Sequence, residues 1–96
     1  MMKKKISILG STGSIGINTL KIIKKDKNDF EVLLLSTNRN TKKIFQQAKE
    51  FNVKNIIITD LESFKKAKIK FNKKKINIYN NFKNLNKIFK KKNDLI

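Results

Sequence analysis

The sequence predicts an α/β fold built on a parallel sheet, and three observations carry that prediction. Apolar, mostly β-branched runs recur along the chain, at Ile6-Ser7-Ile8-Leu9, Val32-Leu33-Leu34-Leu35 and Ile56-Ile57-Ile58. Runs without polar alternation suit parallel strands covered on both faces. Between them, apolar residues return at helical spacing. All three glycines, Gly10, Gly13 and Gly16, fall within seven residues directly after the first run. A chain that otherwise avoids glycine keeps it where a backbone turns tightly off a strand and approaches another group.

Taken in order, Lys4 to Leu9 reads as a buried strand ended by glycine. A helix from Ser14 to Lys25 follows, with Ile15, Leu20 and Ile23 near one face and lysines at the C-terminal end, where they complement the dipole. Asp26 to Asp29 is a polar turn, and Phe30 to Ser36 a second strand. Thr37 to Asn40 forms a loop whose Asn40 or Thr41 caps a helix running to Phe51, with Ile44, Ala48 and Phe51 inward. The unit repeats with a strand over Lys54 to Thr59, Asp60 as N-cap, and Leu61, Phe64 and Ala67 as a buried face. Lys75 to Tyr79 is a short fourth strand before a helix with Phe82, Leu85, Ile88 and Phe89 as its apolar stripe. Four alternations of strand and helix with short connections predict right-handed crossovers in one sheet.

Composition sets the class. Ninety-six residues make one domain, and the absence of cysteine and histidine excludes disulfides, thiolate metal sites and imidazole ligands. The seven carboxylates are scattered without ligand-like spacing. No apolar run is long enough to cross a bilayer. Met1-Met2-Lys3-Lys4-Lys5 looks like the start of a signal peptide, but the apolar segment after it is too short and runs into glycines. The cytoplasm is the expected location. The net charge of +17 invites a nucleic-acid reading. However, the lysines are spread over the whole chain alongside an excess of Asn, Ile and Phe, as mutational bias toward AT-rich codons produces. A nucleic-acid surface uses arginine with interleaved aromatics on one face, and this chain has a single arginine.

The chemistry-bearing segment is Gly10-Ser11-Thr12-Gly13-Ser14-Ile15-Gly16. Between a strand and a helix, this spacing signals a dinucleotide whose pyrophosphate rests on the helix N-terminus. Gly10 allows the turn, Gly13 the approach of the pyrophosphate, and Gly16 the packing of helix on sheet. Ser11, Thr12 and Ser14 add hydroxyls able to donate to phosphate oxygens. At the end of the second strand an NAD site places an acid, but here the residues are Ser36-Thr37-Asn38-Arg39-Asn40. Arg39, the sole arginine, suits the 2′-phosphate of NADP, which an acid would repel.

With those residues in view, the chain resembles the N-terminal NADPH-binding domain of the 1-deoxy-D-xylulose 5-phosphate reductoisomerases, enzymes of non-mevalonate isoprenoid biosynthesis. The stretches that carry the likeness are Lys5 to Gly16, Thr19-Leu20, Phe30 with the strand after it, Arg39-Asn40, and Gln46-Gln47-Ala48-Lys49-Glu50-Phe51. The likeness is good to about Asp60 and architectural beyond it. It implies a Rossmann-like three-layer sandwich, incomplete at about four strands, with residues 1–96 as the NADPH-binding domain. It implies cofactor contacts at Thr12, Gly13, Ser14 and Ile15, and at Arg39 and Asn40, with Asn38 in the same loop. The family's Ala-Gly is here Thr37-Asn38; asparagine tolerates the left-handed conformation that such a loop needs. The family's catalytic segment, its acidic ligands for Mg or Mn, its sugar-phosphate site and its C-terminal domain map to no residue of this chain, so no catalytic residue is expected. The family also implies a homodimer. Asp94-Leu95-Ile96 resembles the start of the next family strand, so the chain reads as stopping mid-fold and leaving the first strand with an open edge. Two alternatives stay open. One is another NADP-dependent reductase such as a semialdehyde dehydrogenase, whose loops carry Ala where Ser11 and Ser14 stand. The other is a basic module for nucleic acid or an acidic partner.

Overall fold

The computed structural model describes residues 3–26, 28–71, 75–83 and 94–95. Strand β1 (Lys4–Ile8) leads into helix α1 (Ser14–Lys25), β2 (Phe30–Thr37) into α2 (Thr41–Phe51), and β3 (Asn55–Ile58) into α3 (Leu61–Lys70). Strands β4 (Asn77–Tyr79) and β5 (Asp94–Leu95) complete the sheet. The strand order is β4-β3-β2-β1-β5, and every pair is parallel.

Each step from β1 to β4 moves one place in the same direction, so right-handed crossovers set α1, α2 and α3 on one face. Leu20, Ile23, Ile44, Ala48 and Ala67 of those helices share a core with Ile6, Ile8, Val32, Leu35, Ile56, Ile58 and Ile78 of the strands. Burying such side chains stabilises the fold by about 1.5–3 kcal/mol for each Leu or Ile. Alternation along a strand sends Ser7, Leu34 and Ile57 to the opposite face, and these too are fully buried. The apolar, unalternating strands of the sequence thus occupy the center of a Rossmann-like incomplete sandwich. The described helices form one of its layers.

The register between β1 and β2 positions the candidate site. Lys4, Lys5 and Ile6 pair with Phe30, Glu31 and Val32, whereas Ser7 and Ile8 pair with Leu34 and Leu35, so Leu33 is bulged out. Beyond Leu35, β2 continues through Ser36 and Thr37 alongside the loop that leaves β1.

Several expectations are corrected. The four expected strands are joined by a fifth, β5, formed by the segment read as the start of the next family strand. Asp94 and Leu95 pair with Ile6 and Ser7, so the outer edge of β1 is covered there instead of open. A parallel ladder needs only short segments to satisfy exposed N–H and C=O groups. The first strand ends at Ile8 rather than Leu9, the second extends to Thr37, and the third and fourth are shorter than expected. Ile15 is 83% exposed, because the inward stripe of α1 is Gly16, Leu20 and Ile23. Leu61 is 52% exposed, since steps of three residues drift by about 60° around a helix and part it from Ala67. The helix expected around Phe82 to Phe89 falls largely on residues 84–90, outside the described residues; Phe82 itself lies in a turn.

Leu35 is fully buried at the center of the sheet. Leu35→Ala is expected to destabilise the chain by about 2–5 kcal/mol, read as a lower urea midpoint with the slope retained.

Candidate dinucleotide site

The loop between β1 and α1 is shaped by two of its glycines. Gly10 has φ +71°, a conformation that other residues adopt only under strain. It closes a turn in which the Gly13 N–H donates to the Gly10 carbonyl at 3.1 Å. A Cβ on Gly16 would fall 2.4 Å from the Gly10 carbonyl oxygen and 2.6 Å from Ser11 Cα. Gly16 therefore admits packing of α1 on the loop backbone, not on the sheet as the sequence suggested. The reason is that α1 starts immediately behind the turn. At Gly13 a Cβ would make only an ordinary 3.5 Å contact, so nothing among the described residues demands glycine there.

The loop is tied down from β2 and α2. Ser36 Oγ accepts from the Gly10 N–H at 2.8 Å, and the Ser36 carbonyl accepts from the Ser11 N–H at 2.8 Å. Thr12 Oγ1 and Thr37 Oγ1 share a hydrogen bond of 2.6 Å. Gln47, from the buried face of α2, accepts from Ser11 Oγ at 2.8 Å and donates to the Ser11 carbonyl at 2.9 Å. Ser11 is fully buried by this arrangement. Its hydroxyl is committed to the protein, which corrects the expectation that it serves a phosphate. Thr12 is half-buried, and Gly13, Ser14 and Ile15 are exposed.

The N-termini of α1, α2 and α3 differ in a telling way. Asn40 Oδ1 caps α2 by accepting from Lys43 N–H at 3.2 Å, and Asp60 Oδ2 caps α3 by accepting from Ser63 N–H at 3.1 Å. The N-cap of α1 is Gly13, which brings no side-chain oxygen, and no acidic residue stands in the first turn. The N–H groups of that turn, with the positive end of the helix dipole, are left to an external acceptor. An anion is the species that fits.

The loop after β2 holds the other predicted residues. Asn38 accepts from Thr59 Oγ1 at 2.9 Å through its side chain and from the Asp60 N–H at 3.0 Å through its carbonyl. Among the described residues only Asn52, the C-cap of α2, has a positive φ outside glycine, so Asn38 does not use the left-handed conformation anticipated for it. The loop is held instead by its bonds to the β3–α3 junction. Arg39 is 76% exposed, and its Nε lies 3.5 Å from Asp60 Oδ1. Its side chain thus leans toward the end of β3, on the side of β2 away from the glycine loop. Asn40 spends its side-chain oxygen on capping α2.

Asp60 is a site neighbour that the sequence reading missed. The segment after β2 carries no carboxylate, yet the parallel sheet brings the end of β3 beside it. The only signal in the sequence was positional: in a parallel sheet all strand-to-helix loops gather at one edge. Bonds from the Ser63 hydroxyl and N–H, with the nearby Arg39 guanidinium, hold the Asp60 carboxyl below its ordinary value of 3.8. Gln47, Ser36 and Thr37 were likewise missed as anchors of the glycine loop. Among the described residues no three acidic side chains gather as a metal would require, and no helix is long and apolar enough to cross a membrane.

Comparison with known proteins adds to this geometry. A family model described as 1-deoxy-D-xylulose 5-phosphate reductoisomerase matches residues 6–96. The protein of that name from Pelagibacter ubique (strain HTCC1062) is 50% identical over 92 residues, covering 96% of this chain and 24% of its own length. That from Clostridium tetani (strain Massachusetts / E88) is 42% identical over 65 residues, covering 68% of this chain and 17% of its own. Among solved structures, the reductoisomerase from Zymomonas mobilis in complex with NADPH aligns with a TM-score of 0.74 at 29% identity, over 81% of this chain and 21% of that one. A DOX-P reductoisomerase in complex with NADPH, fosmidomycin and magnesium aligns with a TM-score of 0.77 at 26% identity, over 88% and 21%. The chain spans about a quarter or less of the length of these relatives.

Two outcomes follow from the geometry. Gly16→Ala forces α1 off the loop and is expected to cost about 1–3 kcal/mol, measured by urea unfolding. Asp60 ionises more readily folded than unfolded, so its contribution to stability is present above its ordinary value and is lost as pH falls through the folded one. Asp60→Asn keeps an oxygen for the Ser63 N–H but does not titrate. Its stability is expected to fall less steeply than that of the parent below about pH 4 in thermal melts.

Proposed function

This chain belongs to the 1-deoxy-D-xylulose 5-phosphate reductoisomerase family, and from that premise we propose that it is the NADPH-binding part of such an enzyme. The observation that carries the reading is the uncapped N-terminus of α1, standing behind a glycine turn while α2 and α3 are capped from within. The cofactor's pyrophosphate rests on the amides of Ser14 and Ile15 and passes close to Gly13, whose own N–H is spent on the Gly10 carbonyl and whose missing side chain permits the approach. The hydroxyls of Thr12 and Ser14 donate to its oxygens; Thr12 and Thr37 share one bond, so one of their two hydrogens is free for the ligand. Ile15, exposed at the same helix start, offers an apolar surface beside the cofactor.

Arg39 selects the 2′-phosphate, with Asn38 and Asn40 shaping the loop around it. A guanidinium held through Nε by Asp60 keeps its terminal N–H groups for a phosphate. Bound NADPH supplies the hydride of the family reaction, in which 1-deoxy-D-xylulose 5-phosphate is rearranged and reduced to 2-C-methyl-D-erythritol 4-phosphate with Mg or Mn. Residues 1–96 act in this as the cofactor domain, and by themselves bind NADPH without turning substrate over. The sugar phosphate and a second copy of the enzyme are partners of the whole protein, which works in the cytoplasm away from membranes. The alternative reductase loops carry Ala in place of Ser11, whereas here the Ser11 hydroxyl is bonded to Gln47, which favours the reductoisomerase reading.

Titration of the chain with NADPH and NADH tests this, at about 0.15 M salt so that the general lysine field is screened. NADPH is expected to bind more tightly. Arg39→Ala is expected to weaken NADPH by about 10–100-fold, as loss of charge-assisted hydrogen bonds implies, and to leave NADH unchanged. Equal binding of the two nucleotides by the parent chain would overturn the proposal.

A further inference from the structure

We propose that Gln47 is a positioning residue for the cofactor: from α2, it fixes the glycine loop in the shape that presents its amides to the pyrophosphate. The inference rests on the NADPH reading above and adds a residue that lies outside both cofactor loops.

A buried primary amide is costly unless all its groups are bonded, and an apolar residue would fill the inward face of α2 between Ile44 and Ala48 more cheaply. Apart from Gln47, the buried polar residues among those described are Ser7, Ser11, Ser36 and Thr37, all hydroxyl-bearing. Gln47 directs both ends of its amide to a single partner, Ser11, with Nε2 on the carbonyl and Oε1 on the hydroxyl. The Ser11 carbonyl and the Thr12 N–H belong to one planar trans peptide and point in opposite directions. Holding the carbonyl inward therefore turns the Thr12 N–H outward. It also sets the plane from which the turn to Gly13 begins.

The preceding residue makes such a clamp necessary. Gly10 at φ +71° is free to take many other conformations, and its N–H is held only by Ser36 Oγ. To the anchors from β2, Gln47 adds one from a rigid helix. That helix starts at Thr41, directly after Arg39 and Asn40. One element thus fixes the distance between the pyrophosphate end and the 2′-phosphate end of the site. Only a primary amide carries a separate donor and acceptor side by side on one planar group at neutral pH, and Asn is one methylene shorter than Gln.

The test compares two probes on the parent chain and on Gln47→Met, a substitution of similar size without hydrogen-bonding groups. NADPH engages both ends of the site, while adenosine 2′-monophosphate reaches Arg39 and lacks the pyrophosphate. Gln47→Met is expected to weaken NADPH by about tenfold and to change 2′-monophosphate binding by less than about twofold. Gln47→Glu keeps the shape and an acceptor for Ser11 Oγ but loses the donor to the carbonyl; it is expected to show the same selective loss, and it serves if Gln47→Met does not fold. Unchanged NADPH binding in a folded variant would overturn the inference. So would parallel weakening of both probes, which marks a general structural role. A parent chain that binds neither probe would instead overturn the functional reading on which the inference stands.

Discussion

The first turn of α1 lies against the backbone of Gly10 and Ser11 so closely that no side chain fits at Gly16. That approach fixes where the helix starts, and its starting point determines which N–H groups face outward. The turn at Gly10, the cap-free Gly13 and the exposed Ser14 and Ile15 are consequences of one steric fact. Had the helix begun a turn later, a different set of orphan amides would stand at its start.

Around this contact the polar groups form a consistent scheme. Ser11, Ser36, Thr37 and Gln47 are buried and bonded, which leaves the loop rigid from the inside. The groups that remain exposed are the ones a nucleotide would use. The bulge at Leu33 shifts the register by one residue, so that Leu35 stands opposite Ile8 and β2 runs on through Ser36 and Thr37 past the end of β1. There Ser36 and Thr37 hydrogen-bond to Gly10, Ser11 and Thr12.

Charge plays a different part from the one the composition suggests. The excess of lysine gives the whole chain a positive field, which is screened beyond roughly 8 Å at physiological salt and carries little discrimination. The single arginine is set apart because Asp60 orients it. A carboxylate beside a guanidinium proposed to select a phosphate looks contrary to that role, but it lies on the β3 side and engages Nε. Surface pairs of this kind add little to stability and more to orientation.

The sequence by itself determined the alternation of strand and helix, the glycine junction and the place of Arg39, because these depend on local periodicity and backbone freedom. The strands could be read because parallel, doubly covered segments are apolar throughout, and the loop because glycine marks turns. What Ser11 and Gln47 do was decided by the tertiary structure alone: their meeting across 36 positions exists only once α2 packs on the sheet. Likewise Asp60 reached Arg39 through sheet order. Short elements and single cross-chain bonds leave no periodic trace along a chain, so only folding reveals them.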